Sequence, residues 1–209
     1  MAGFRTNEAW EIAAAVVLSL ATLVSAWSGY QAARWSSENV QANRAATAAR
    51  IEATSQSNLA NRQVTIDVTL FSTWLAAELA SDERLSSSIE GRFRPDFVPA
   101  FEAWRADAPA GSLPPGSPFE RPEYVLPATV EAERLLSVSA AEADRADTAS
   151  QIGDNFVLVA VLYASVLFLA GIATKISSPR SAHAAVALAA VIFVAATAAM
   201  LLMPMNVGF

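Results

Sequence analysis

The stretch NFVLVAVLYASVLFLAGIATKI, residues 155–176, decides the fold. From Asn155 to Thr174 it holds no Asp, Glu, Lys or Arg. Twenty such residues, at about 1.5 Å of helical rise each, reach across a hydrocarbon core of roughly 30 Å. Working outward, the same absence of charge recurs between Glu11 and Arg34 and between Arg180 and Phe209. Three spans follow: an N-terminal one within 1–30, a second over 155–176 and a third over 183–205. They account for a composition that is 54% hydrophobic and only 16% charged, where soluble domains average roughly 25% charged.

The reading is therefore an all-α membrane protein: three transmembrane helices continuous with an extramembrane helical bundle, the latter capped by a Pro-rich segment. The polar domain, 31–154, carries eleven arginines and eighteen acidic residues, so the chain's net charge of −6 belongs to it. An acidic domain argues against nucleic acid as a partner, because phosphate binding requires Lys or Arg to displace counterions. Cysteine is absent, which excludes disulfides and thiol chemistry.

Trp10 on one side of the first span, and Trp27, Tyr30 and Trp35 on the other, have the placement of interfacial aromatics. A cleaved signal peptide competes, since Val24 and Ala26 have the small-residue pattern of a cleavage site. Glu8 and Glu11, acidic where a signal requires basic residues, favour an uncleaved anchor. Spans two and three are joined by a turn containing Ser177-Ser178-Pro179-Arg180-Ser181, flanked by Lys175 and opposed at the far end of span two by Asp144, Asp147 and Asp154. The positive-inside rule then predicts a cytoplasmic turn and an extracytoplasmic polar domain in the inner (plasma) membrane. Arg5 agrees; Arg34, Arg44 and Arg50 disagree, but they begin a long loop, which translocates largely regardless of charge.

Within span one, Ala21, Ser25, Gly29 and Ala33 recur every fourth residue and predict a helix-packing seam. Ser19, Thr22, Ser25 and Ser28 are read as bonding back to their own helix. From Gln31 no Pro or Gly occurs until Gly91, which predicts a helix extending past the membrane and stopping there. Ala42, Ala46, Ala49, Ala53 and Ala60, with Gln56 filling the gap, form a small-residue seam for an antiparallel partner. That partner starts at Pro127 and runs into span two. Being shorter, it predicts a bend in the long arm at Thr54-Ser55-Gln56-Ser57-Asn58, beyond which Val64 to Ile89 would fold as a separate helix. A straight arm is the alternative, leaving Phe71 and Trp74 in need of another subunit.

Between the arms lies the Pro-rich cap, 91–126. With Pro127 behind it, this stretch holds eight of the ten prolines. Its start predicts a short amphipathic helix with Phe97, Phe101 and Trp104 on one side. Arg92, Arg94, Phe97, Phe101 and Trp104 together form a candidate contact surface at the tip. The arginines, including Arg84 and Arg105, have acidic neighbours, so surface ion pairs are expected there rather than an anion site.

The segments AWSGYQAARW (26–35) and RFRPDFVPAFEAW (92–104), with the paired C-terminal spans, resemble a group of uncharacterised bacterial three-span membrane proteins. The likeness covers most of the chain and implies architecture alone; it carries over no functional residue.

Catalytic, cofactor and metal sites are not expected. His183 is the only histidine and Lys175 the only lysine, where a nucleophile with its base, a metal site or a phosphate loop needs convergent groups. Lys175 and His183 stand at span ends, and the interiors of the three spans hold no ionisable residue of the kind proton-coupled transport uses. The acidic run Glu131, Glu133, Glu142, Asp144, Asp147 and Asp154 lacks a calcium-loop pattern and reads as a solvated face. The expected function is non-enzymatic: a helical scaffold, sensor or accessory subunit. Its expected partners are the lipid bilayer and either a second copy, as a homo-oligomer, or another membrane protein. The alternative is an oligomeric pore lined by span one.

Overall fold

The computed structural model describes the backbone of residues 2–109 and 112–206, and side chains at residue 12 and from residue 15 onward within those limits. The side chains of Arg5, Glu8, Trp10 and Glu11 lie outside the described residues. Helix α1 covers Ala2–Leu79, α2 Glu83–Glu90, α3 Val98–Ala106, α4 Pro127–Ala173 and α5 Pro179–Leu201, with one 3₁₀ turn at Pro118–Glu120. No strand occurs among the described residues. α1, α4 and α5 are long and apolar enough to cross a membrane.

The separate helix expected beyond Thr54–Asn58 does not form, because α1 is helical without interruption to Leu79. Local chemistry explains this. Thr54 Oγ1 donates to the Arg50 carbonyl at 2.9 Å and Gln56 Nε2 to Glu52 Oε1 at 3.0 Å, so two of the five polar side chains bond within their own helix, and the run holds no Gly or Pro to break it. The break falls instead at 80–82. Ser81 adopts φ 57°, the left-handed region that terminates helices, and Asp82 caps α2 by accepting from the Leu85 amide at 3.0 Å. Gly91 then ends α2, as its position in the sequence indicates. Pro127 and Pro179 open α4 and α5, where a missing N–H costs no helical bond.

The chain divides into two compact units, Met1–Arg44 with Glu142–Phe209, and Ala45–Ala141. In the first, Ala21 of α1, Phe156, Val159, Tyr163 and Val166 of α4, and Ala189, Ala196 and Met200 of α5 make one buried cluster. Tyr163 and Thr197 share a hydrogen bond of 2.9 Å within this apolar unit. The outward residues are large and apolar as well: Leu23, Phe168, Val191 and Val194 are about two-thirds exposed. Gly153 permits a close approach, since a Cβ there would stand 3.5 Å from Trp35 Cβ and 3.7 Å from the Ala32 carbonyl oxygen.

In the second unit, Ala46, Ala53 and Ala60 are buried, and Asp67 and Trp74 continue the same seven-residue step. Seven residues fall about 20° short of two full turns, so the row keeps to one side of the helix. The alanine seam read from the sequence is thus the inner face of α1, and Ser139 Oγ of α4 donates to the Ala46 carbonyl across it at 2.9 Å.

Candidate functional site

The end of the alanine row carries the chemistry of the second unit. Phe71 and Trp74 of α1, Ile89 of α2, Phe93 and Phe97 before α3, and Phe101 and Trp104 on it form a buried cluster, with Phe119 and Tyr124 packed against it. The rings meet mostly edge to face; Trp74 and Phe101, for example, have centroids 4.8 Å apart at 86°. That geometry sets positive ring edges on negative faces. Arg105 lies over the rings of Trp74 and Phe101 at 5.9 and 5.8 Å while pairing with Glu90 at 3.0 Å.

Beside this cluster Asp67 is fully buried. Its Oδ2 accepts from Arg94 Nη1 at 2.9 Å and from the Tyr124 hydroxyl at 3.0 Å. Arg94 also pairs with Asp96 at 2.5 Å. Asp67 Oδ1 is buried without a hydrogen-bond partner among the described residues, as are the indole N–H groups of Trp74 and Trp104. Burial pushes the Asp67 carboxyl above its ordinary range, against the lowering pull of Tyr124 and Arg94. Burial, followed by the hydrogen bond and charge of Asp67, also raises the Tyr124 phenol, which therefore stays protonated. A carboxylate so enclosed holds chain segments together and leaves no open face for a substrate.

Of the five residues grouped as a contact surface, Phe97, Phe101 and Trp104 are 0–2% exposed and form the core. Arg94 is bound to Asp67 and Asp96, and Arg92 alone is exposed. The amphipathic pattern identified the inner face of α3 correctly; that face packs on α1 of the same chain and so covers Phe71 and Trp74. Arg121 pairs with Asp107 across the Pro-rich segment.

The four-residue seam of span one separates in the structure. Ala21 is buried and Ser25 half-buried, whereas Gly29 and Ala33 face outward, and a Cβ on Gly29 would meet nothing within 4 Å. Steps of four advance about 40° each around a helix, so the fourth member lies some 120° from the first. The inner face follows Ala21 and Ser28 instead. Ser19 and Thr22 donate to the carbonyls of Ala15 and Leu18 at 2.9 and 2.8 Å; Ser28 turns instead to Met200 Sδ at 3.7 Å.

Gln31 is fully buried. Its Oε1 accepts from the Asn206 amide at 2.9 Å and its Nε2 donates to the Asn206 carbonyl at 3.4 Å. Trp35 Nε1 donates to the Pro204 carbonyl at 3.2 Å. Asn39 Nδ2 donates to the Ala146 carbonyl at 2.8 Å, and Arg145 pairs with Glu38. Sequence reading overlooked Asp67, Tyr124 and Gln31. For Asp67 a signal existed, since it is the one acid in the seven-residue row that runs from Ala46 to Trp74. Among the described residues, no three His, Asp or Glu side chains converge on a metal-sized site. In comparison with known proteins, the chain matches no family model, no curated protein and no solved structure.

Proposed function

We propose that this chain is a multi-pass protein of the cytoplasmic membrane whose polar helical bundle, capped by the Pro-rich segment, lies outside the cytoplasm and acts as a non-catalytic scaffold, sensor or accessory subunit. The observation that carries the reading is the two-sided apolarity of α1, α4 and α5. Their inner faces are packed around Phe156 and Tyr163, and their outer faces still present Leu23, Phe168, Val191 and Val194. A surface of that kind is stable against lipid and unstable against water. The scaffold reading draws support from the polar unit, where the buried carboxylate, its arginine and its tyrosine bind one another. The hydroxyls of Ser19 and Thr22, bonded to their own helix, count against a pore lined by span one.

Topology is tested with single cysteines, since the native chain has none. Ser112→Cys and Ser178→Cys, made separately, are treated in intact cells with a membrane-impermeant maleimide. Labelling of Ser112→Cys alone is expected, and labelling of Ser178→Cys alone reverses the orientation. Ion flux through liposomes carrying the purified chain, abolished by Ser25→Leu, would replace the scaffold with the pore.

A further inference from the structure

In the second unit α1 and α4 lie side by side, and on one side of the pair a groove of about 400 Å³ is open. Ala53, Ser57 and Asn61 line it from α1, and Thr129, Glu133 and Leu136 from α4. Leu136 is 53% exposed at its edge. Arg50, one turn before Thr54 on the α1 wall, and Glu133 on the α4 wall are exposed and enter no ion pair among the described residues. Glu131, two residues from Glu133, is by contrast paired with Arg134.

We propose that this groove docks a second copy of the chain about a two-fold axis running along the helices, with Leu136 of each copy entering the groove of the other and Glu133 of each meeting Arg50 of the other. The register within one chain supplies the argument. Ser139 lies level with Ala46, and Ala128 packs with Ala60, so Leu136 lies level with the turn of α1 that holds Arg50 and Ala53. An axis along the helices keeps every residue at its own level and sets α1 of one copy over α4 of the other. Leu136 then falls beside the small side chains of Ala53 and Ser57. Glu133 comes within one helical turn of Arg50, a distance the long arginine side chain spans. Each contact occurs twice, as a closed isologous interface requires. The charges agree with this choice of occupant. Between 45 and 66, α1 carries Arg50 and Arg62 against Glu52; between 127 and 141, α4 carries Glu131 and Glu133 against Arg134. The basic helix is thereby laid on the acidic one, while two like helices would repel.

The inference rests on the reading that places this unit in water, where an exposed Leu136 gains from being covered. The test uses the full chain in detergent micelles and again in lipid nanodiscs. A mass of two copies by light scattering is expected. Arg50→Glu and Glu133→Arg should each raise the dimer dissociation constant roughly tenfold or more, and the double exchange R50E/E133R should restore it. Differently tagged copies carrying Ser57→Cys and Thr129→Cys should form a mixed disulfide on mild oxidation. Ser55→Cys, on the far side of α1, should not pair with Thr129→Cys. A monomeric mass, a dimer indifferent to charge reversal, or equal cross-linking at 55 and 57 overturns the proposal. Outside labelling of Ser112→Cys is independent of all three, so loss of the dimer and loss of the membrane topology remain distinguishable.

Discussion

The hydroxyl of Tyr124 donates to Asp67 Oδ2 at 3.0 Å across 57 residues of sequence, and this bond, with Arg94 on the same oxygen, ties the Pro-rich segment to α1. Tyr124→Phe removes one of the two donors. A loss of about 1 kcal/mol is expected, read as a lower thermal midpoint of the polar unit and faster protease cleavage in the segment around Ser112. Asp67→Ala should cost more, about 1.5–3 kcal/mol, because Arg94 keeps Asp96 but loses its bond to the buried carboxyl. Unchanged cleavage in both variants would show that the bond does not hold the segment.

The pH dependence of this tie has a definite sign. Burial raises the Asp67 carboxyl, so the folded chain holds that proton more tightly than the unfolded chain. Stability contributed by Asp67 is therefore fully present below the ordinary carboxylate range and declines as pH rises through the raised value. Denaturation of the wild type and of Asp67→Asn at a series of pH values isolates the effect. The stability of the wild type relative to Asp67→Asn should fall from about pH 4 towards neutrality; a rise would mean that Arg94 outweighs burial.

The aromatic cluster is the larger of the two buried apolar clusters described in the polar unit. Trp104→Ala or Phe97→Ala should destabilise it by about 3–5 kcal/mol, measured by loss of near-ultraviolet circular dichroism on heating. Val125→Ala, at an exposed position, should change stability by no more than about 0.5 kcal/mol.

Two glycines separate close packing from open surface. Gly153→Leu should destabilise the spans, because its side chain would meet Trp35 and the Ala32 carbonyl, while Gly153→Ala remains an ordinary contact. Gly29→Leu, facing open space, should leave the melting temperature in detergent unchanged. If Gly29→Leu proved the more damaging of the two, Gly29 would be packing against another chain.

Gln31→Leu should cost about 1–3 kcal/mol by removing both hydrogen bonds between Gln31 and the Asn206 backbone. Release of the segment near Pro204 should appear as faster hydrogen exchange at Asn206, with that of the core residues around Tyr163 unchanged.

The spans and the alanine seam were legible because each rests on a pattern repeated many times: absence of charge over twenty positions, or small residues at steps of four and three. The inner face of α3 was legible for the same reason, through Phe97, Phe101 and Trp104. What covers that face was not, since Asp67 and Tyr124 are single residues whose pairing depends on how the chain returns. The turn at Ser81 was hidden as well, because it lacks Gly or Pro and a left-handed serine leaves no compositional trace. The break expected at Thr54–Asn58 shows the converse: a polar run without Gly or Pro continues as helix, here with Thr54 and Gln56 bonded to the turn before them.

The alanine row also constrains how such a chain can change length over evolutionary time. Ala46, Ala53, Ala60 and Asp67 count off α1 in sevens, and Ser139 and Ala128 fix α4 against that scale. Deleting seven residues from one arm alone would slide Tyr124 about 10 Å from Asp67. Viable insertions and deletions should therefore arise as matched pairs, one heptad from each arm, so that the two helices behave as a graduated rule that is shortened only by whole divisions on both edges at once.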